Sequence, residues 1–156
     1  MVHIMTNDQI TIRVKVNRNR TQRETLVATG RARYTDLDVV DAMPKGEGDE
    51  VEVVFFKSDP STRYSWDETV KDFESRGLKP ADPVSVATVN EAYPAFADEK
   101  PHNTYWKDAK GKWCYAAFYR WDGERRVSVN HGSNGRSDNR WWSAGIRLPA
   151  MPTHAE

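Results

Sequence analysis

Apolar and polar positions alternate most clearly at residues 10–16, where Thr11, Arg13 and Lys15 separate Ile10, Ile12, Val14 and Val16. A period of two predicts a strand with one buried face. Residues 17–22 are polar and turn-like, and residues 24–29, stopped by Gly30, are expected to return as the second arm of a hairpin. The stretch MPKGEGDE at 43–50 has no periodicity, and its carboxylates lack the spacing of a hard-cation loop, so it is expected to be a solvated loop. Residues 51–57, VEVVFFK, are almost continuously apolar, which places them centrally in a sheet.

Helical spacing follows. Ser65 and Glu68 have the separation of a capping box, Trp66, Val70 and Phe73 share a face, and Gly77 supplies the stop. This predicts a helix over residues 65–76. Pro80 and Pro83 read as a rigid linker into a second helix, residues 84–92, with Val86, Val89 and Ala92 or Tyr93 on one face and Pro94 closing it. The last third returns to strand patterns at residues 105–106, 112–121, 125–129 and 141–148. Lys110-Gly111 and Asp122-Gly123 are the turn signals between them. Between the last two strands lies SVNHGSNGRSDNR, residues 128–140, almost wholly polar. Strand, two helices, then several strands is an α+β order, and no repeat of solenoid or propeller length is present.

Composition narrows the picture further. The chain has 156 residues, enough for one domain, with 29% charged residues and 17 aromatic ones, too aromatic for a disordered chain. Equal numbers of basic and acidic residues give zero formal charge, so no whole-chain field recruits nucleic acid or acidic lipid. No apolar run is long enough for a membrane span, and the first ten residues lack an apolar leader core, which leads to an expected cytoplasmic or virion- or surface-associated location. One cysteine, Cys114, excludes an intrachain disulfide and a cysteine-based zinc cage.

The ordered pieces GLKPADP, VNEAYPAFADEKP, TYWKDAKGKWCYAAF, RW and WWSAGIR, spread over residues 77–147, resemble the variable proteins of diversity-generating retroelements, which have a C-type-lectin-like fold. The resemblance covers about residues 51–148. It implies an α+β C-type-lectin-like domain, two helices packed on a small mixed or antiparallel sheet without disulfides. Residues 1–50 then form an N-terminal β-hairpin extension with its loop, residues 51–148 the ligand-binding domain, and residues 149–156 a tail. In that family adenine-directed mutagenesis rewrites a region near the gene's 3′ end, mostly at Asn-type codons, whose products exclude Lys, Glu, Gln, Met and Trp. Those five types make up 31 of the 156 residues, yet residues 128–140 contain none, where chance would place about 2.6. The resemblance thus implies a display protein, not an enzyme, whose variable region at about 115–143 binds changing protein or surface targets. Trp113, Phe118, Trp121, Trp141, Trp142 and Ile146 are expected to be its mostly buried, unvaried frame.

The residues expected to carry binding are Tyr115, Tyr119, Asp122, Ser128, Asn130, His131, Ser133, Asn134, Arg136, Ser137, Asp138, Asn139 and Arg140. Alternation turns Arg126, Ser128 and Asn130 away from the face of Val127 and Val129. The alphabet is that of antibody paratopes, adaptable hydrogen bonding with aromatic and Arg anchors. No catalytic residue, metal site or cofactor is expected, and a monomer is slightly favoured over an oligomer. Lectin-type calcium motifs are absent, and the resemblance to formylglycine-generating enzymes fails at their cysteine pair. Cys114 reads as a small buried apolar residue. Cys114 with His131 as nucleophile and base would need an exposed, activated thiolate, and that pairing is set aside. His102 with Asp98 lacks a third metal ligand and reads as part of a solvated loop. The alternative function is a single-stranded nucleic-acid or carbohydrate module in the last third. Residues 120–147 hold six Arg against three acids, a local +3, with Trp faces suited to sugar. Lys is absent there, so no continuous phosphate track is evident and nucleic acid is disfavoured.

Overall fold

The computed structural model describes residues 9–57, 64–132 and 141–149, together with the backbone of residues 3–6. The alternating N-terminal stretch forms β2 (Gln9–Lys15), flanked on its outer side by the antiparallel strand β1 (His3–Thr6). Thr21 then caps a helix, α1 (Gln22–Ala28), where a returning strand is expected from sequence. The reason is local: the Glu24 N–H donates to Thr21 Oγ1 at 3.1 Å, and the Thr21 N–H donates to Glu24 Oε1 at 2.8 Å. This capping box satisfies two backbone donors that a strand would have to pair elsewhere. After β3 (Ala32–Thr35) and the short α2 (Leu37–Asp41), the apolar run forms β4 (Glu50–Phe56).

The two expected helices follow as α3 (Trp66–Ser75), capped by Ser65 and Glu68, and α4 (Pro83–Ala92), separated by a three-residue strand β5 (Leu78–Pro80) rather than a bare linker. A single turn, α5 (Phe96–Glu99), leads into β6 (His102–Lys107), β7 (Trp113–Trp121), β8 (Glu124–His131) and β9 (Trp142–Arg147). Together these elements are a mixed α+β fold, mostly sheet, and the one cysteine forms no disulfide.

Among the described residues, nine strands make one sheet in the order β1-β2-β4-β9-β6-β7-β8-β3, with β5 also on β9. Most pairings are antiparallel; β6 with β9 and β3 with β8 are parallel. Val54, Phe55 and Phe56 lie opposite Gly145, Ala144 and Ser143, so β4 lies inside the sheet between β2 and β9, as its apolar run leads one to expect. Gly145 sits in a tight place where β5 pairs with β9. A Cβ there would lie 3.2 Å from Leu78 Cβ, Leu78 Cδ1 and the Lys79 carbonyl oxygen.

The two faces have separate cores. The larger joins Ile10, Ile12 and Val14 of β2 and Leu26, Val39, Val40 and Met43 to Val53, Phe55, Phe118, Val127 and Val129, beneath α4. Residues 9–43 are therefore built into the sheet and core, not appended as a hairpin, because β2 buries its alternate side chains against β4. Each such buried aliphatic side chain contributes about 1.5–3 kcal/mol. The smaller core lies on the other face, where α3 sets Phe73 edge-on to Phe56 with centroids 5.0 Å apart, beside Leu78 and Tyr105. Among the expected frame residues, Phe118 is fully buried, and Trp113, Trp141, Trp142 and Ile146 are partly buried. Trp121 is a correction: it is 61% exposed, because it sits beside the hairpin turn, beyond the reach of either core.

His102 is a second correction. It is fully buried rather than part of a solvated loop, since β6 starts at this residue and turns its ring into the larger core. Its Nδ1 donates to the Lys100 carbonyl and its Nε2 accepts from Asn90 Nδ2, each at 2.9 Å. Phe55, Phe96 and Phe118 surround the ring at 4.7–5.6 Å between centroids. Burial pushes the imidazole down to about 3, so it is neutral in ordinary conditions. Beyond Asn90 lies Arg31, 5% exposed, which donates to Asn90 Oδ1 and to the carbonyls of Pro94, Tyr119 and Arg126. One buried cation thereby ties α4 to the β7–β8 hairpin.

Candidate functional site

The β7–β8 hairpin presents two chemically different faces. Its register pairs Phe118 with Val127, Ala116 with Val129 and Cys114 with His131 on the side of the larger core. The intervening pairs are Tyr115 with Asn130, Ala117 with Ser128 and Tyr119 with Arg126, and these belong to the opposite face. Alternation in β8 is thus realised as expected from sequence, and it gathers Tyr115, Tyr119, Ser128 and Asn130 on one surface.

That surface is internally bonded. Tyr119 Oη and Ser128 Oγ are 2.7 Å apart, and Ser128 is only 8% exposed. The Trp141 ring meets Tyr119 edge-on at 5.4 Å. Tyr115 packs partly into the smaller core beside Trp66 and Trp113, whose rings stack at 4.9 Å. Gly132, where the hairpin ends, leaves room for that stack, since a Cβ there would sit 2.6 Å from Trp66 Cζ2.

Sequence reasoning misses two contributors to this face. Tyr34 arrives on β3, which pairs parallel to β8 and sets Tyr34 opposite Ser128. Asn130 Nδ2 donates to the Tyr34 carbonyl at 3.3 Å, the Arg126 guanidinium lies 4.7 Å over the Tyr34 ring, and Tyr34 Oη donates to Glu124. Nothing in the four residues of β3 announces this, because the pairing spans more than 90 positions. Asn103, opposite Ala117 on β6, carries a buried Oδ1 with no hydrogen-bond partner among the described residues. Such an acceptor costs about 1–3 kcal/mol if nothing fills it.

Of the other expected site residues, Asp122 and His131 do not join this group. Asp122 is in the hairpin turn at φ +53°, with Gly123 at φ +76°. Asp122 is eight steps along the strand from Cys114, the cross-strand partner of His131, so Asp122 and His131 lie about 25 Å apart. His131 turns to the opposite face. Ser133, Asn134, Arg136, Ser137, Asp138, Asn139 and Arg140 lie outside the described residues.

His131 has its own neighbourhood. Its Nδ1 is 3.6 Å from Cys114 Sγ, and an Asp108 carboxylate oxygen completes a set in which all three ligand-type atoms lie within 4.8 Å of one another. The backbone N–H groups of Lys110 and Lys112 both donate to Asp108 Oδ1 at 2.9 Å, and they hold its carboxyl below the usual carboxylate range. Burial, then the charges of Asp108 and Asp36, push the Cys114 thiol up. The thiol is therefore protonated and is no activated nucleophile. The cluster opens onto a cavity of about 340 Å³ lined also by Asp38, Val39, Ala42, Lys110 and Lys112.

Charge on the hairpin is largely internal. Arg125 donates to both carboxylate oxygens of Asp98 and Arg120 reaches the same group, while Arg126 donates to Glu124 at 2.8 Å. The Arg125 hydrogen bonds hold the Asp98 carboxyl below its ordinary value. No helix among the described residues is long and apolar enough to cross a membrane. No protein family, curated protein or solved structure matches this chain.

Proposed function

We propose that this chain is a ligand-binding display protein, the variable protein of a diversity-generating retroelement, with a C-type-lectin-like fold. One observation carries the reading: Tyr115, Tyr119, Ser128 and Asn130 share the face of a rigid hairpin whose opposite face is core. The half-buried Tyr119 and Asn130 are the positions of this face where side-chain change should leave the fold intact, since Ser128 is buried and Tyr115 packs into the smaller core. The connection at 133–140 leaves the same hairpin and returns at Trp141, the residue packed on Tyr119. Binding in this reading uses Tyr119, Asn130 and the 133–140 segment, while Ser128, buried and bonded to Tyr119, supports the Tyr ring. The fold assignment is supported by the pairing of β4 with β9, which brings the ends of the 51–148 segment together around two helices.

The competing nucleic-acid reading loses much of its charge. Of the six Arg between residues 120 and 147, Arg120 and Arg125 pair with Asp98 and Arg126 with Glu124, which neutralises the basic charge of the β7–β8 hairpin itself.

The test is a library randomised at Tyr119, Asn130 and residues 133–140 together, with Ser128 and the Trp residues retained. Most members are expected to express solubly with nearly unchanged Tm, and selection on immobilised protein targets is expected to yield different sequences for different targets. A library in which most members fail to fold would overturn the proposal. A second check lies in the neighbouring DNA: a near-repeat of the codons for residues 115–147, differing at adenines, beside a reverse-transcriptase gene.

A further inference from the structure

We propose that Asp108, Cys114 and His131 form a zinc site, on the face of the hairpin opposite the display surface. The sequence hides it, because the three residues have no recognised metal spacing; the sheet assembles them. Cys114 and His131 are a cross-strand pair of β7 and β8, and Asp108 comes from the turn between β6 and β7. Directly opposed residues in an antiparallel pair have Cβ atoms about 4.5–5.5 Å apart, which suits two ligands of one ion.

The Cys114–His131 separation fits a tetrahedral ion, and the Asp108 oxygen, within 4.8 Å of both atoms, would complete the set by a small movement of its turn. With Zn–S about 2.3 Å and Zn–N about 2.05 Å, a tetrahedral angle places sulfur and nitrogen about 3.6 Å apart. Cys114 Sγ and His131 Nδ1 are 3.6 Å apart. The contact also suits an S–H···N hydrogen bond, and a cation can replace that proton without movement of the sulfur or the nitrogen. The carboxylate of Asp108 is already oriented, since the Lys110 and Lys112 N–H groups both grip Oδ1. A preorganised ligand loses less entropy on binding.

Donor chemistry selects the metal. One thiolate, one imidazole and one carboxylate suit zinc, whereas magnesium and calcium require oxygen shells. On binding, the Cys114 S–H bond breaks, sulfur keeps the electron pair for the Zn–S bond, and the proton passes to solvent. Three protein ligands leave a fourth position for water, or for a ligand atom from the cavity of about 340 Å³ that borders the cluster. Asp38 lines that cavity together with Lys110 and Lys112, so the acid that offsets the cation most directly is the ligand Asp108. The ion would lock the β6–β7 turn to the end of β8, at the point where the chain leaves the hairpin.

The experiment uses the full chain, stripped with a chelator and titrated with Zn2+ by calorimetry, and in parallel with Co2+ in an absorption cell. One ion per chain is expected, with a Tm that rises with Zn2+ and a thiolate-to-cobalt charge-transfer band in the near ultraviolet. His131→Ala and Asp108→Asn, both at residues that contact solvent, should fold as the parent and weaken binding by more than about 100-fold for the His change. Cys114→Ser should abolish the charge-transfer band. Absence of a one-to-one complex overturns the proposal. So does undiminished binding in His131→Ala, which would place the metal on other histidines. Should Cys114→Ser fail to fold, the His131 and Asp108 variants and the parent's cobalt spectrum decide the matter alone.

Discussion

Acid sensitivity is expected to be concentrated in one buried ring. His102 is neutral in the folded chain because burial pushes its imidazole down to about 3, against 6.5 for the free side chain, and the nearby Arg31 charge opposes protonation too. Its two hydrogen bonds require the Nδ1–H tautomer, with Nε2 accepting from Asn90, and a second proton would face the Asn90 amide donor. Between pH 6.5 and about 3 the unfolded chain therefore holds a proton that the folded chain refuses. Stability rises with pH across that window: the contribution is complete above about 6.5 and is lost as pH falls towards 3. At about 1.4 kcal/mol per pH step, lowering the pH from about 6.5 to about 4.5 should remove roughly 2–3 kcal/mol, before most carboxylates titrate. Urea denaturation followed by Trp fluorescence at several pH values measures this directly. His102→Gln leaves a neutral polar group in place of the ring and is expected to be less stable at every pH, with most of that slope gone. An unchanged slope in His102→Gln, or a flat profile in the parent, would refute the reasoning, because the ring would then be accepting its proton inside the fold.

Three further outcomes follow from the geometry. Gly145→Ala should cost about 1–3 kcal/mol in chemical denaturation, because the new methyl meets Leu78 and the Lys79 carbonyl at 3.2 Å, and the β5–β9 pairing has to shift. Asp122→Val should lower stability by about 1–2 kcal/mol, since a β-branched residue resists the φ of +53° that Asp tolerates, while Asp122→Gly should equal or exceed the parent; thermal melts of the pair decide it. Trp121→Ala should change stability by less than about 1 kcal/mol, as judged by urea midpoint, because most of that ring already faces water.

Sequence alone determined what repeats at short range. The period of two at residues 10–16 and 125–129, the apolar run at 51–57, the capping box at Ser65 and the Asp122-Gly123 turn each act over fewer than ten residues, so their local pattern suffices. The helix at residues 22–28 was legible by the same rule, since Thr21 and Glu24 have the spacing of Ser65 and Glu68. On the β7–β8 hairpin, alternation also placed Ser128 and Asn130 on the face away from Val127 and Val129. Tertiary structure decided everything that depends on which strands become neighbours. Parallel pairing of β3 with β8 brought Tyr34 to the candidate face, insertion of β2 beside β4 built residues 9–43 into the sheet and core, and the start of β6 buried His102. It also separated Asp122 and His131 from residues close to them in sequence, and joined His131 to Cys114 and Asp108. The physical reason is that a strand's side-chain period specifies its two faces but carries no information on its partners. Partner choice follows from burying the most apolar surface with every backbone group paired, a property of the whole sheet rather than of any stretch within it.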